Sequence, residues 1–103
     1  MKRILIAISL AFLLPQPVPA AVNLYGPGGM TCAVYSQSSD SDKAGFKYWA
    51  QGYLSGMNAI KNFDLSRGRD QATFLLGVDA YCRSNPQSSY AGAIDSLILE
   101  INK

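Results

Sequence analysis

Histidine is absent from the 103 residues of this chain, so the commonest general base and the commonest transition-metal ligand are both missing. Cysteine is scarce, with Cys32 and Cys82 alone, and two thiolates without a histidine do not complete a tetrahedral zinc shell. No metal and no cofactor is expected. Ser55 and Ser66 have no evident base partner, and a serine nucleophile without one is weak. Asp64, Asp70 and Asp79 have no spacing that favours a carboxylate pair over capping and surface roles. Gly26 to Gly29 is followed by no Lys-Ser/Thr, so no phosphate loop is formed. The reading is a protein that is not an enzyme.

Charge is sparse as well. Acidic and basic residues make up 16% of the chain, and its formal net charge of +2 resides in Lys2 and Arg3. Past that point Lys43, Lys47, Lys61, Arg67, Arg69, Arg83 and Lys103 are matched by Asp40, Asp42, Asp64, Asp70, Asp79, Asp95 and Glu100. Without a surplus of cations there is no basis for a nucleic-acid partner or for attraction to a membrane. A long apolar run is also lacking. Ile4 to Leu14 covers about eleven residues, where a bilayer span needs about 20.

That short run, preceded by Lys2 and Arg3 and broken by Pro15, Pro17 and Pro19, has the pattern of an export signal over residues 1–20. Val18 and Ala20 put small side chains at −3 and −1 of a cleavage site between Ala20 and Ala21. No cysteine stands near it to carry a lipid, so no membrane insertion is expected after cleavage. Residues 21–103 then form a single helical domain in an oxidising compartment, where Cys32 and Cys82 make one disulfide.

The apolar residues recur with a helical period. Gly26-Pro27-Gly28-Gly29 reads as an extended lead-in, after which Thr31 caps a short helix through about Ser36. Ser36 to Asp42 is a loop, with Ser41 or Asp42 placed to cap the next element. From Lys43 to Phe63, Phe46, Trp49, Tyr53, Met57 and Ile60 define one stripe. Gly52 and Gly56 on the same helix suggest close packing of a neighbour, since each costs about 1 kcal/mol relative to alanine. A third helix runs from about Asp70 to Arg83 and ends at Asn85-Pro86. Ser88 or Ser89 caps a last one carrying Tyr90, Ile94, Leu97, Ile98 and Ile101. No strand-like alternation is sustained. The fold class is all-α, a compact bundle of about four helices cross-linked by one disulfide.

Among the aromatics, Trp49, Tyr53, Phe74 and Tyr90 fall on helical stripes and read as core, whereas Tyr25 and Tyr48 do not. The loop from Phe63 to Asp70 brings Asp64, Ser66, Arg67 and Arg69 together around Gly68. Arginines flanked by acidic groups suit a polar partner cleft, so these four are the candidate partner-binding residues.

Two strings carry a family resemblance: Trp49-Ala-Gln-Gly-Tyr-Leu-Ser-Gly-Met-Asn58 and Tyr81-Cys-Arg-Ser-Asn-Pro86. With Cys32 upstream and an export signal, they resemble the small periplasmic immunity proteins of the Rap/Tai type, through Trp49, Gly52, Tyr53, Gly56, Tyr81, Cys82, Asn85 and Pro86. The resemblance implies a helical, disulfide-bonded periplasmic protein, often a homodimer, that binds and blocks a peptidoglycan-degrading amidase delivered by type VI secretion. Two other roles suit a chain of this kind. One is an accessory interaction protein of an envelope secretion or plasmid conjugation system. The other is an acid-stress periplasmic chaperone of the HdeA kind, disfavoured by the few carboxylates and the lack of histidine.

Overall fold

The computed structural model of the chain describes residues 23–103. The expected export signal and Ala20–Ala21 cleavage site lie outside the described residues. A short polar side chain starts each of four helices: α1 (Cys32–Gln37), α2 (Asp40–Lys61), α3 (Gln71–Ser84) and α4 (Tyr90–Ile101). Thr31, Ser39, Asp70 and Ser89 each accept a hydrogen bond from the backbone N–H three residues on, at 3.2, 3.2, 2.8 and 2.9 Å. Each cap satisfies a donor that the first helical turn leaves unpaired, stabilising its helix by about 1 kcal/mol. Among the described residues there is no strand, only an isolated antiparallel bridge between Thr31 and Ser89. The expected all-α, disulfide-linked bundle is the fold found.

Two boundaries differ from expectation. Ser39, not Ser41 or Asp42, caps α2, so the helix takes in Asp40 and Asp42. Both carboxylates then lie in the first turn, where the helix dipole favours negative charge. At the other end Asn62 turns left-handed with φ 52°, and the Phe63 N–H returns to the Asn58 carbonyl at 3.2 Å. The helix therefore stops at Lys61, before Phe63. The lead-in is not extended either. Gly26–Gly29 is one turn of 3-10 helix with Pro27 in its first turn, where the missing N–H is no loss.

The core forms where α1, α2 and α4 meet around an aromatic trio. The rings of Tyr35, Phe46 and Tyr90 lie with centroids 4.8 to 5.2 Å apart, within the range for favourable edge and offset contacts. Ala50, Phe74, Val78, Ala93, Ile94 and Ile98 close around them. The disulfide joins the first residue of α1 to the last turn of α3, with a Cα–Cα distance of 4.8 Å and both cysteines buried. Beside it the Cys32 N–H donates to the Ser88 carbonyl at 2.7 Å and the Tyr90 N–H to the Met30 carbonyl at 2.8 Å. The starts of α1 and α4 are thus tied to each other and to the end of α3.

The stripe on α2 is partly as expected. Phe46 is buried and Trp49, Tyr53 and Met57 pack on the core, but Ile60 is 87% exposed. The 22 residues of α2 extend about 33 Å at 1.5 Å per residue. Its 12-residue neighbour α4 extends about 18 Å, and the last turn of α2 carries Ile60 clear of the bundle. The close packing expected at Gly52 and Gly56 is also absent. A β-carbon on either would meet nothing within 4 Å. The tight approaches are made instead by Gly28 against Trp49 and by Gly77 against Leu97.

Candidate partner-binding loop and groove

The segment between α2 and α3 is built around one carboxylate. Asp64 Oδ1 accepts from the Ser66 N–H at 3.0 Å and from the Ser66 hydroxyl at 2.7 Å, and Oδ2 accepts from the Gly68 N–H at 2.8 Å. These donors, the Ser66 hydroxyl and then the Gly68 N–H foremost, hold the Asp64 carboxyl below the usual carboxylate range. The chain can wrap so tightly because Arg67 and Gly68 both take positive φ, 56° and 81°, and glycine does so without steric penalty.

The loop is also anchored from outside. The Leu65 N–H donates to Asn58 Oδ1 on α2 at 2.9 Å, and the Asn102 side-chain amide, just past α4, donates to the Leu65 carbonyl at 2.8 Å. Leu65 itself is buried in the core. Loops usually carry solvated backbone and move; in this one the N–H groups from Leu65 to Arg69 all find acceptors and the apolar anchor is seated.

The four candidate residues divide into two kinds. Asp64 and Ser66 act inward. Ser66 is only 6% exposed, and both oxygens of the exposed Asp64 accept from the loop itself. Arg67 and Arg69 are exposed. The Arg67 guanidinium lies 5.1 Å from the centroid of the Phe63 ring, and Phe63 is itself 46% exposed. Arg69 Nη1 donates to the Ser66 carbonyl at 3.2 Å. Among the described residues the one ion pair is Lys103 with Glu100, so both arginines keep their charge uncompensated. Beside them runs a groove of about 160 Å³, floored by Leu54 and Phe74 and edged by Gln51, Ser55, Asn58, Arg69 and Gln71. Carboxamides, the hydroxyls of Ser55 and Ser66 and a guanidinium line it, and no carboxylate does. Such an edge can hydrogen-bond peptide carbonyls and carboxylates.

The residues of the two strings prove to hold the frame on which this loop sits. Trp49 Nε1 donates to the Tyr25 carbonyl at 2.8 Å, and its ring stacks on Tyr53 with centroids 4.8 Å apart. The Tyr53 hydroxyl donates to Asp95 on α4 at 3.0 Å. Burial first, and this carboxylate second, push the Tyr53 pKa up to about 12. Tyr81 accepts from the Ser96 hydroxyl at 3.2 Å, the Asn85 amide donates back to the Tyr81 carbonyl at 3.0 Å, and the Pro86 carbonyl receives the Ala33 N–H at 2.9 Å. Gly52 and Gly56 lie on the exposed side of α2.

Sequence reasoning missed Asn58, Asn102 and Phe63. Only the 3.6-residue spacing of Gln51, Ser55 and Asn58 could have signalled a polar edge. The Asn102 contact spans 37 residues and leaves no local pattern. Comparison with protein-family models, with curated proteins and with solved structures gives no match to this chain.

Proposed function

We propose that this protein is a periplasmic immunity or inhibitor protein that binds a peptidoglycan-degrading amidase and blocks its active-site cleft. The observation that carries the reading is the α2–α3 loop, which presents Phe63, Arg67 and Arg69 on a frame already ordered by Asp64, Asn58 and Asn102. A loop fixed before contact avoids the ordering cost that otherwise weakens association. Arginine and aromatic side chains are also the types that dominate binding energy at interfaces. Binding rather than catalysis suits the Ser66–Asp64 pair too: a carboxylate held below its usual range is a poor base, and the serine is buried.

The test is calorimetric titration of the exported protein with an amidase encoded beside its gene, together with a hydrolysis assay. A stoichiometric complex that abolishes hydrolysis is expected. Arg67→Ala should weaken it tenfold or more, equivalent to about 1.4 kcal/mol. Asp64→Ala, which touches only the frame, should weaken binding while speeding tryptic cleavage after Arg67 and Arg69. Absence of binding overturns the reading. Binding without inhibition replaces it with the accessory role in secretion or conjugation.

A further inference from the structure

On α1, α2 and α3, away from the loop, lies a second polar cavity that the proposed function does not use. It measures about 150 Å³ and is lined by Tyr35, Ser36, Lys43, Asp79 and Arg83. We propose that this cavity is a binding site for a carboxylate, supplied by an acidic side chain or a free chain terminus.

The lining carries two cations and one anion, and the anion is already engaged. The Tyr35 hydroxyl donates to Asp79 Oδ1 at 2.5 Å, across 44 residues of sequence. Lys43 Nζ stands 5.6 Å from the Tyr35 ring centroid. Neither Lys43 nor Arg83 forms an ion pair among the described residues, although Arg83 lies one helical turn from Asp79. Two cations against one anion leave the space with a net positive charge that attracts an anion, and a guanidinium offers the paired donors that match a planar carboxylate.

The wall behind the cavity is aromatic and polar in part. Tyr90 is fully buried and packs on Tyr35 with ring centroids 4.8 Å apart. Its hydroxyl is, among the described residues, the one buried side-chain polar atom without a hydrogen-bond partner. It sits near enough to Asp79 for that charge, after burial itself, to raise its pKa. The opening admits a small head group such as a carboxylate on a methylene or two.

The test is two-dimensional amide NMR of the protein purified after export, titrated with three probes. N-acetylglutamate α-amide carries a side-chain carboxylate, N-acetylalanine a terminal one, and N-acetylglutamine α-amide is the uncharged control. Saturable shifts at the amides of Ser36, Lys43, Asp79 and Arg83 are expected with the first two and not the third, and the tighter of the two identifies the natural source. Arg83→Gln should abolish them, Arg69→Gln should not, and Asp79→Asn should tighten binding several-fold by removing the repelling charge. The proposal is overturned by shifts that do not saturate, that appear equally with the glutamine probe, or that survive Arg83→Gln. None of these outcomes depends on the amidase, so each is distinct from a failure of the proposed function.

Discussion

The benzo ring of Trp49 occupies the space that a β-carbon on Gly28 would need. The 3-10 turn and α2 can meet only because residue 28 lacks a side chain. Trp49 is the chain's single tryptophan, so its emission reports this contact without interference. Gly28→Ala should push the indole out, shift its emission to longer wavelength and cost about 1–3 kcal/mol, the usual range for overpacking. Far-UV circular dichroism should stay unchanged, because the four helices do not depend on the turn. An unaltered emission maximum together with an unaltered melting temperature would show that the ring does not rest there.

Gly52 and Gly56 should behave in the opposite way. Both sit inside α2 with open space where a side chain would go. Alanine at either position should therefore stabilise the protein by about 0.5–1 kcal/mol, through helix propensity and a less flexible unfolded chain. Urea unfolding of each single variant and of the pair checks this, and the two increments should add. Destabilisation by either alanine would mean that this face is covered in solution.

What was legible in the sequence follows from range. The helices depend on residues within a turn of one another, so the Thr31 cap could be read directly and Ser89 as one of two adjacent choices, while Asp70, read as the start of α3, is its cap. Ser39 was missed because the serines and aspartates from Ser38 to Asp42 offer several equivalent caps. The disulfide was legible because only one pairing of two cysteines exists. Of the loop, its residues were visible and its internal order was not. Asp64 reaches across two and four residues, but Asn58 and Asn102 join it only after α2 and α4 have packed. Gly52 and Gly56 misled for the same reason: four-residue spacing tells that two glycines share a face and says nothing of what lies opposite.

Alkaline stability should depend on the Tyr53–Asp95 hydrogen bond. The folded-state pKa of Tyr53 is pushed up from 10.0 to about 12, so the folded protein holds this proton more tightly than the unfolded chain does. The associated stability is fully present below pH 10 and is lost as pH rises toward 12. Tyr53→Phe should cost about 1 kcal/mol at neutral pH and flatten the decline of melting temperature between pH 10 and 12. Tyr35 and Tyr90, raised chiefly by burial, should keep a residual slope in the variant. An identical alkaline profile for wild type and Tyr53→Phe would rule the bond out as a contributor.

The cross-link between Cys32 and Cys82 should carry a large share of the stability. It closes a loop of 50 residues, which on the chain-entropy model removes about 4 kcal/mol of freedom from the unfolded state. A small domain has only about 5–10 kcal/mol in total. Replacing both cysteines by serine should therefore bring the urea midpoint close to the onset of unfolding in the native protein. Some loss also comes from the hydroxyls themselves, since both positions are buried, and the Cys32→Ala/Cys82→Ala pair separates that part from the entropic one. Alkylation in denaturant without reductant is the direct check: the unreduced protein should gain no label. Labelling of both sulfurs would leave α1 held to α3 by packing alone. A six-residue helix is too short to hold its own shape in water, and the α1 side of the core would then have no covalent anchor.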